Sequence, residues 1–339
     1  MKPHIAIVGA GSVGCYIGGR LNAHARVTFI ARPRIAAAIA AHGLTLSDLL
    51  GFHQHIEPAA LDVTTEMGAA ATADLLLITV KSGATDGVAD ELAEVLTHPT
   101  LIASFQNGLH NAQRLRDRLP PHRVLAGMVP YNIVQQPPAS FHQGTSGQLM
   151  VESDCDLAPF LAAFESAGLD LMLREDMAAV QNAKLLLNLN NAINALSDVP
   201  LREELSQRAW RRCLAMAQEE ALRIYKLAAM PTAQLTPLPP QSLVRLLKMP
   251  DWIFRRAAAR MLAIDPLARS SMWEDLQAGR ATEVDAIQGE VVAIAAARGA
   301  RAPVNATLLS LIRDAERQRV PLRSADVLAA LKSAVRHGS

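Results

Sequence analysis

An α/β protein of two domains is what three features of this 339-residue chain predict. Short apolar strands alternate with helical stretches through the first half, the pattern of a parallel sheet covered on both faces. The second half is almost wholly helical in its spacing, and the first strand runs directly into Gly-x-Gly-x-x-Gly at residues 9–14. The expected fold is an N-terminal Rossmann-like dinucleotide-binding domain with a C-terminal all-helical domain.

The elements follow in chain order. Ile5 to Val8 forms the first strand. Gly9 permits the tight turn, Gly11 lets the backbone approach a pyrophosphate, and Gly14 lets the next helix pack closely on the strand. Ala10, Ser12 and Val13 complete this candidate cofactor-binding turn, and the helix N-terminus attracts the anion. The second strand, Val27 to Ala31, ends at Arg32. An NAD-specific fold usually places a carboxylate there for the ribose 2′-hydroxyl, whereas a guanidinium suits a 2′-phosphate, so NADP is favoured over NAD. The plainer alternative is that Arg32 and Arg34 are solvated charges opening a helix.

Further strands are expected at Leu75 to Val80, Leu101 to Ser104, Val124 to Ala126 and Gln148 to Val151, while Leu44 to Glu57 is ambiguous. Tyr131 to Gln136 and His142 to Glu152 read as antiparallel strands closing the same sheet. The boundary falls near Glu175, giving a nucleotide-binding domain over 1–175 and a helical substrate domain over 176–339. Within the latter, Met177 to Leu196, Arg202 to Ala228 and Glu283 to Arg298 are the long helices. Thr282 can cap the start of the last, and Gly299 stops it. The proline-rich Met230 to Pro240 reads as a loop, and the basic Leu243 to Leu262 as a helical insertion.

Half of the residues are hydrophobic but only 4% are aromatic, so the cores must rest on Ala, Leu, Ile and Val. The net charge of +1 leaves no electrostatic footprint for nucleic acid or an anionic membrane, which favours small-molecule chemistry. Three scattered cysteines and ten histidines without an H-x-x-x-H pair predict neither a disulfide framework nor a bound metal. There is no basic start followed by a long apolar run, so a soluble, cytoplasmic chain is expected. A homodimer is compatible with the sequence.

Lys184 and Asn188 lie four residues apart and share a helical face, with Asn191 on the same stripe among leucines. Either Lys184 is buried or cleft-facing and tuned as a proton donor, or it sits in water on an ordinary amphipathic helix. Ser271 and Asp275 share a second face and Glu283 opens the next helix; these are site residues, or surface and capping residues. Lys81 and Asn107 follow strands whose C-terminal ends should face the ligand crevice, although each also reads as a turn residue.

Taken together, the glycine turn, Arg32, Thr-Val-Lys81, Gln-Asn107-Gly, Ala-Lys184-Leu-Leu-Leu-Asn188, and Ser-Ser271-Met-x-x-Asp275 before Thr-Glu283-Val-Asp closely resemble the ketopantoate reductases (2-dehydropantoate 2-reductases), from residue 5 to about 315. The resemblance implies an NADP-binding domain, a helical domain and an active site in the cleft between them. It also implies that Lys184 is the general acid toward the substrate ketone, that Asn188 orients substrate, and that Glu283 lies beside the lysine and cofactor. Asn107 then serves the nicotinamide side and substrate, Lys81 contacts cofactor, and Ser271 binds the substrate carboxylate.

The chain departs from the family pattern at Ala192, Leu201 and the Ala268-Arg269 pair, where asparagines are expected; Asn191 or Asn190 must then replace the second asparagine. These departures bear on the substrate rather than on fold or cofactor. The activity implied is NADPH-dependent reduction of 2-dehydropantoate to (R)-pantoate in pantothenate and coenzyme A synthesis. The alternatives are a reductase of another 2-oxo acid and a nonenzymatic NADP-binding regulator, the latter disfavoured by Lys184 and Glu283.

Overall fold

The computed structural model describes residues 2–258, 265 and 268–338, and the chain divides into two compact units, Met1–Met177 and Ala178–Ser339. The strands of the first unit are β1 (His4–Val8), β2 (Arg26–Ile30), β3 (Leu44–Asp48), β4 (His53–Ile56), β5 (Asp62–Thr64), β6 (Leu75–Ile78), β7 (Leu101–Ser104), β8 (Arg123–Met128), β9 (Ile133–Gln136), β10 (Ser140–Gln143), β11 (Leu149–Glu152) and β12 (Leu171–Arg174). Its helices are α1 (Ser12–Leu21), α2 (Pro33–His42), α3 (Thr85–Val95), α4 (Asn111–Arg118) and α5 (Ala158–Ser166).

Eight strands form one sheet in the order β12-β11-β8-β7-β6-β1-β2-β5. The six from β5 to β8 are parallel; β1, β6 and β7 are buried along their whole length, as strands covered on both faces must be. From β1 the chain proceeds to β2 on one side and later returns to β6 on the other. That reversal opens a crevice at the C-terminal strand ends, where open α/β sheets bind ligands.

The expected antiparallel closure is corrected in part. Only β11 joins the large sheet, antiparallel to β8. The hairpin β9–β10 instead belongs to a separate four-stranded sheet, β4-β3-β10-β9, in which the ambiguous segment after residue 44 supplies β3 and β4. The reason is helix α1. Its glycine flank is apolar on two sides, with Gly18 against Phe29 and Ile7 of the large sheet and Gly19 against Leu44 and Leu46 of the small one. Arg20 stacks over the Phe52 ring at 3.8 Å and donates to the Ala167 carbonyl at 3.0 Å, fastening the helix end to both surroundings.

Among the described residues the regular elements of the second unit are all helices: α6 (Met177–Asn188), α7 (Asn190–Ser197), α8 (Leu201–Ser206), α9 (Arg208–Leu227), α10 (Pro240–Leu247), α11 (Asp251–Ala257), α12 (Ser271–Gln277), α13 (Glu290–Ala297), α14 (Pro303–Arg317) and α15 (Ser324–Gly338). Two of the expected long helices are interrupted. The first breaks at Leu189 and the second at Gln207, near which the fully buried Arg211 donates to the Leu205, Leu247 and Met249 carbonyls. The third contains a π-helical turn, Asp285–Gly289, ahead of α13, and Gly299 follows that helix with φ +64. The basic stretch is helical over α10 and α11, and its end at 259–262 lies outside the described residues. Among the described residues no helix is long and apolar enough to cross a membrane.

Candidate active site

The four candidate cofactor positions of the first unit follow four adjacent parallel strands. Arg32 comes after β2, the glycine turn after β1, Lys81 after β6 and Asn107 after β7, so all stand on the C-terminal edge of the sheet. The turn itself is rigid. The Gly9 and Ala10 N–H groups both donate to the Ile30 carbonyl at 3.0 Å, and Thr79 Oγ1 donates to the Gly9 carbonyl at 2.9 Å.

Its three glycines answer to different demands. Gly9 has φ +90 and would bring a Cβ within 2.2 Å of Val80 Cγ1; a Cβ on Gly14 would lie 2.5 Å from Thr79 Oγ1 and 2.7 Å from Ile7 Cγ2. Gly11 is different, because a Cβ there meets nothing nearer than the Gly9 carbonyl at 3.9 Å. No protein packing requires that glycine, whereas a phosphate approaching the backbone would. The N-cap of α1 is Gly11 itself, with no side-chain cap bond and no acid in the first turn, so the N–H groups of Ser12, Val13 and Gly14 open a helix ready for an anion. These features fit a dinucleotide pyrophosphate.

Arg32 is the exposed N-cap residue of α2 and makes no ion pair among the described residues. Lys81 is exposed at the end of β6 and Asn107 is half-buried beside Gly108, whose φ is +92. Behind them lies a buried polar network that sequence reasoning missed. The Asn107 carbonyl accepts from Ser82 Oγ at 2.7 Å and from Asn111 Nδ2; Asn111 Nδ2 also reaches Ser82 Oγ at 3.0 Å. Gln106 Nε2 donates to Thr85 Oγ1 at 2.8 Å and to the Val80 carbonyl at 3.1 Å. The loops carrying Lys81 and Asn107 are therefore one hydrogen-bonded body. Serines, threonines and amides after a strand read as loop composition, so nothing marked this pairing in advance.

In the second unit Lys184 lies on α6, one turn before the buried Asn188. Part of the lysine reaches solvent, yet the protein around its ammonium is as dense as an interior, and this desolvation holds its pKa down to about 8. Lys184 is thus half-buried with a lowered pKa, unlike a lysine standing wholly in water. Asn191 does not continue the same unbroken helix, because α6 ends at Asn188 and α7 starts at Asn190.

Ser271 begins α12, but the cap is Ser270, whose hydroxyl accepts from Trp273 N at 3.2 Å and donates to the Asn191 carbonyl at 3.0 Å. The Ser270 N–H donates to Asn194 Oδ1 at 2.8 Å, so Asn194 and Ser270 set Ser271 next to α7. Asp275 is buried and pairs with Arg280 at 3.1 Å. Glu283 is half-buried and directly precedes Val284 and the π turn, from which Gln288 Nε2 donates to the Leu189 carbonyl at 2.9 Å. Lys184, Asn188, Asn191, Ser271 and Glu283 thus stand on segments joined around the α6–α7 break. The unexpected residues at 201 and 268 also meet: the Leu201 N–H donates to the Ala268 carbonyl at 2.9 Å, and Ala192 and Ala268 are both buried.

Comparison with known proteins bears on this arrangement. The profile described as "Ketopantoate reductase PanE/ApbA" matches residues 5–153, and that of its C-terminal part matches residues 176–316. A 2-dehydropantoate 2-reductase of Halobacterium salinarum is 26% identical over 321 residues, covering 92% of this chain and 99% of the relative. The crystal structure of a PanE/ApbA family ketopantoate reductase from Ralstonia eutropha JMP134 superposes with a TM-score of 0.79 at 29% identity, covering 93% of this chain and 99% of that one. D-mandelate dehydrogenase, solved with NADH and anilino(oxo)acetate, shares the fold with a TM-score of 0.76 at 17% identity, covering 93% of this chain and 99% of its own. With both halves of the chain matched, this protein belongs to the ketopantoate reductase family of oxidoreductases.

Proposed function

We propose that this chain reduces 2-dehydropantoate to (R)-pantoate with NADPH, a step of pantothenate and coenzyme A synthesis. The observation that carries the reading is Lys184: an amine whose pKa is brought down to about 8 by desolvation, one turn from a buried amide on the same helix. A donor so tuned remains mostly protonated near neutrality and gives up its proton more readily than an ordinary lysine.

Bound NADPH would supply the hydride that converts the C2 ketone to an alkoxide. Lys184 Nζ then delivers a proton to that oxygen and is reprotonated from water, so one hydride and one proton account for the alcohol. Asn188 and Asn191 orient the substrate by hydrogen bonds, the Ser271 hydroxyl holds the carboxylate, and Glu283 serves the lysine and the cofactor. On the first unit, Gly9 to Gly14 receive the pyrophosphate, Arg32 the 2′-phosphate, and Lys81 and Asn107 the nicotinamide side. The empty space over Gly11 supports the first of these roles.

A second reading, a reductase of a 2-oxo acid lacking the 4-hydroxyl, is favoured by the buried Ala192 and Ala268 where polar side chains were expected. A panel of 2-oxo acids assayed by NADPH absorbance separates the two. Expected is a kcat/KM for 2-dehydropantoate about tenfold or more above that for pyruvate or 2-oxoisovalerate, because a site that hydrogen-bonds a hydroxyl penalises analogues without it. Equal rates select the second reading, and no turnover on any of them returns the chain to a regulatory role.

A further inference from the structure

Gln288 is completely buried, yet half of its amide is unsatisfied. Nε2 donates to the Leu189 carbonyl at 2.9 Å, while Oε1 has no partner among the described residues. A buried acceptor left without a bond costs stability, so packing alone would favour a leucine here. The gain must lie in what the single bond holds.

At one end of it is the carbonyl at the break between α6 and α7, flanked by Asn188 and Asn190 and little more than a turn from Lys184. The other end is the π-helical turn Asp285–Gly289, which begins two residues after Glu283. A π turn inserts one residue into the helical repeat, and each residue of a helix is worth about 100° of rotation, so the turn sets the direction of Glu283 relative to Gln288. The same short segment is gripped from its outer side by α14: the Thr282 N–H and hydroxyl both donate to Glu316 Oε1 at 2.8 Å, and Arg313 pairs with Asp285. Those outer contacts are exposed and weak. The inner one is dry.

We propose that Gln288 is a positioning residue for the reduction: its bond to the Leu189 carbonyl holds the Glu283 segment in register with Lys184 and Asn188. This rests on the roles given to Lys184 and Glu283 above.

The test compares Gln288→Leu, which keeps the size and removes the donor, with Gln288→Asn, which keeps an amide. For Gln288→Leu the expected result is a melting temperature equal to or above wild type and kcat lowered about tenfold or more with little change in the KM for the 2-oxo acid. The alkaline limb of kcat/KM should move by about half a pH unit or more, and Gln288→Asn should recover part of both losses. A folded Gln288→Leu enzyme with wild-type kcat and an unmoved limb overturns the proposal. A second readout needs no turnover: the pH dependence of Lys184 labelling by trinitrobenzenesulfonate, followed by peptide mass spectrometry. If the wild type reduces no 2-oxo acid, the proposed function fails while a shift of that labelling curve in Gln288→Leu still supports the positioning role, and an unshifted curve refutes it.

Discussion

Asn194 donates to Glu204 Oε2 at 2.7 Å and, from the other end of the same amide, accepts the Ser270 N–H at 2.8 Å. One buried side chain therefore joins α7, α8 and the cap of α12, and Ser270 passes the connection on to the Asn191 carbonyl. Glu204 has no exposed surface, and desolvation pushes its pKa up to about 8, against which the bond from Asn194 acts only in part. At neutral pH this carboxyl is a neutral acid.

That assignment predicts an unusual pH dependence of stability. Because the folded pKa is raised from 4.5 to about 8, the folded state holds the proton more tightly, and the contribution is fully present below 4.5 and lost as pH rises to about 8. Each pH unit in the interval is worth about 1.4 kcal/mol. Glu204→Gln should therefore melt near wild type at about pH 5 and above it at about pH 9. Calorimetry giving the same difference at both values would remove the neutral acid from the account.

Lys184 titrates with the opposite consequence. In its proposed role of general acid it must carry its proton, so kcat/KM for reduction should fall about tenfold per pH unit above an apparent pKa near 8. For stability the depressed pKa is a cost below 8 that is relieved between 8 and 10.5. Lys184→Ala should retain NADPH binding and lose about 10² to 10⁴ in kcat. Near-normal turnover in that variant would return Lys184 to an ordinary lysine.

Arg32 should decide between the two nicotinamide cofactors. A charge-assisted bond to a 2′-phosphate is worth roughly 1.5 to 3 kcal/mol, so Arg32→Ala should raise the dissociation constant of NADPH about tenfold to a hundredfold and leave that of NADH nearly unchanged. Fluorescence titration with both cofactors is the check, and equal weakening of the two would refute the assignment.

Two glycines of one turn, Gly11 and Gly14, should separate binding from folding. Gly14→Ala drives a Cβ into Thr79 and Ile7 and should destabilise by about 1 to 3 kcal/mol, the usual toll of overpacking. Gly11→Ala meets open space, so the melting temperature should hold while cofactor affinity drops. If Gly11→Ala bound NADPH as tightly as wild type, the pyrophosphate would have to lie elsewhere.

How much of this was legible beforehand depends on how local each cause is. The turn after β1 was readable because glycine spacing, an apolar strand and a helix start all act within ten residues of one another. Arg32, Lys81 and Asn107 were readable as strand-end residues for the same reason. The small sheet was not, because β3 takes its partner from β10, and a pairing over such a distance leaves no mark in either segment. The π turn escaped because Asp-Ala-Ile-Gln-Gly has ordinary helical composition; only the hydrogen-bond register differs. Glu204 sits in Leu-Arg-Glu-Glu-Leu-Ser, which reads as a solvated helix, and its burial comes from α7 and α9 closing over it. With two serines in succession, only the bond from Trp273 N–H to Ser270 and that from Ser270 to the Asn191 carbonyl show which one caps the helix.

The sandwiching of α1 has a consequence for the newly made chain. Residues 9–14 are synthesised well before β10, and the strand that completes the small sheet over α1 pairs with β3 across 95 positions of sequence. At roughly 5 to 20 residues per second, α1 spends on the order of 5 to 20 seconds outside the ribosome with that cover half built. Leu44 and Leu46 lack their β10 neighbours for that interval. The glycine turn is thus made long before β10, the strand that completes the sheet over its helix.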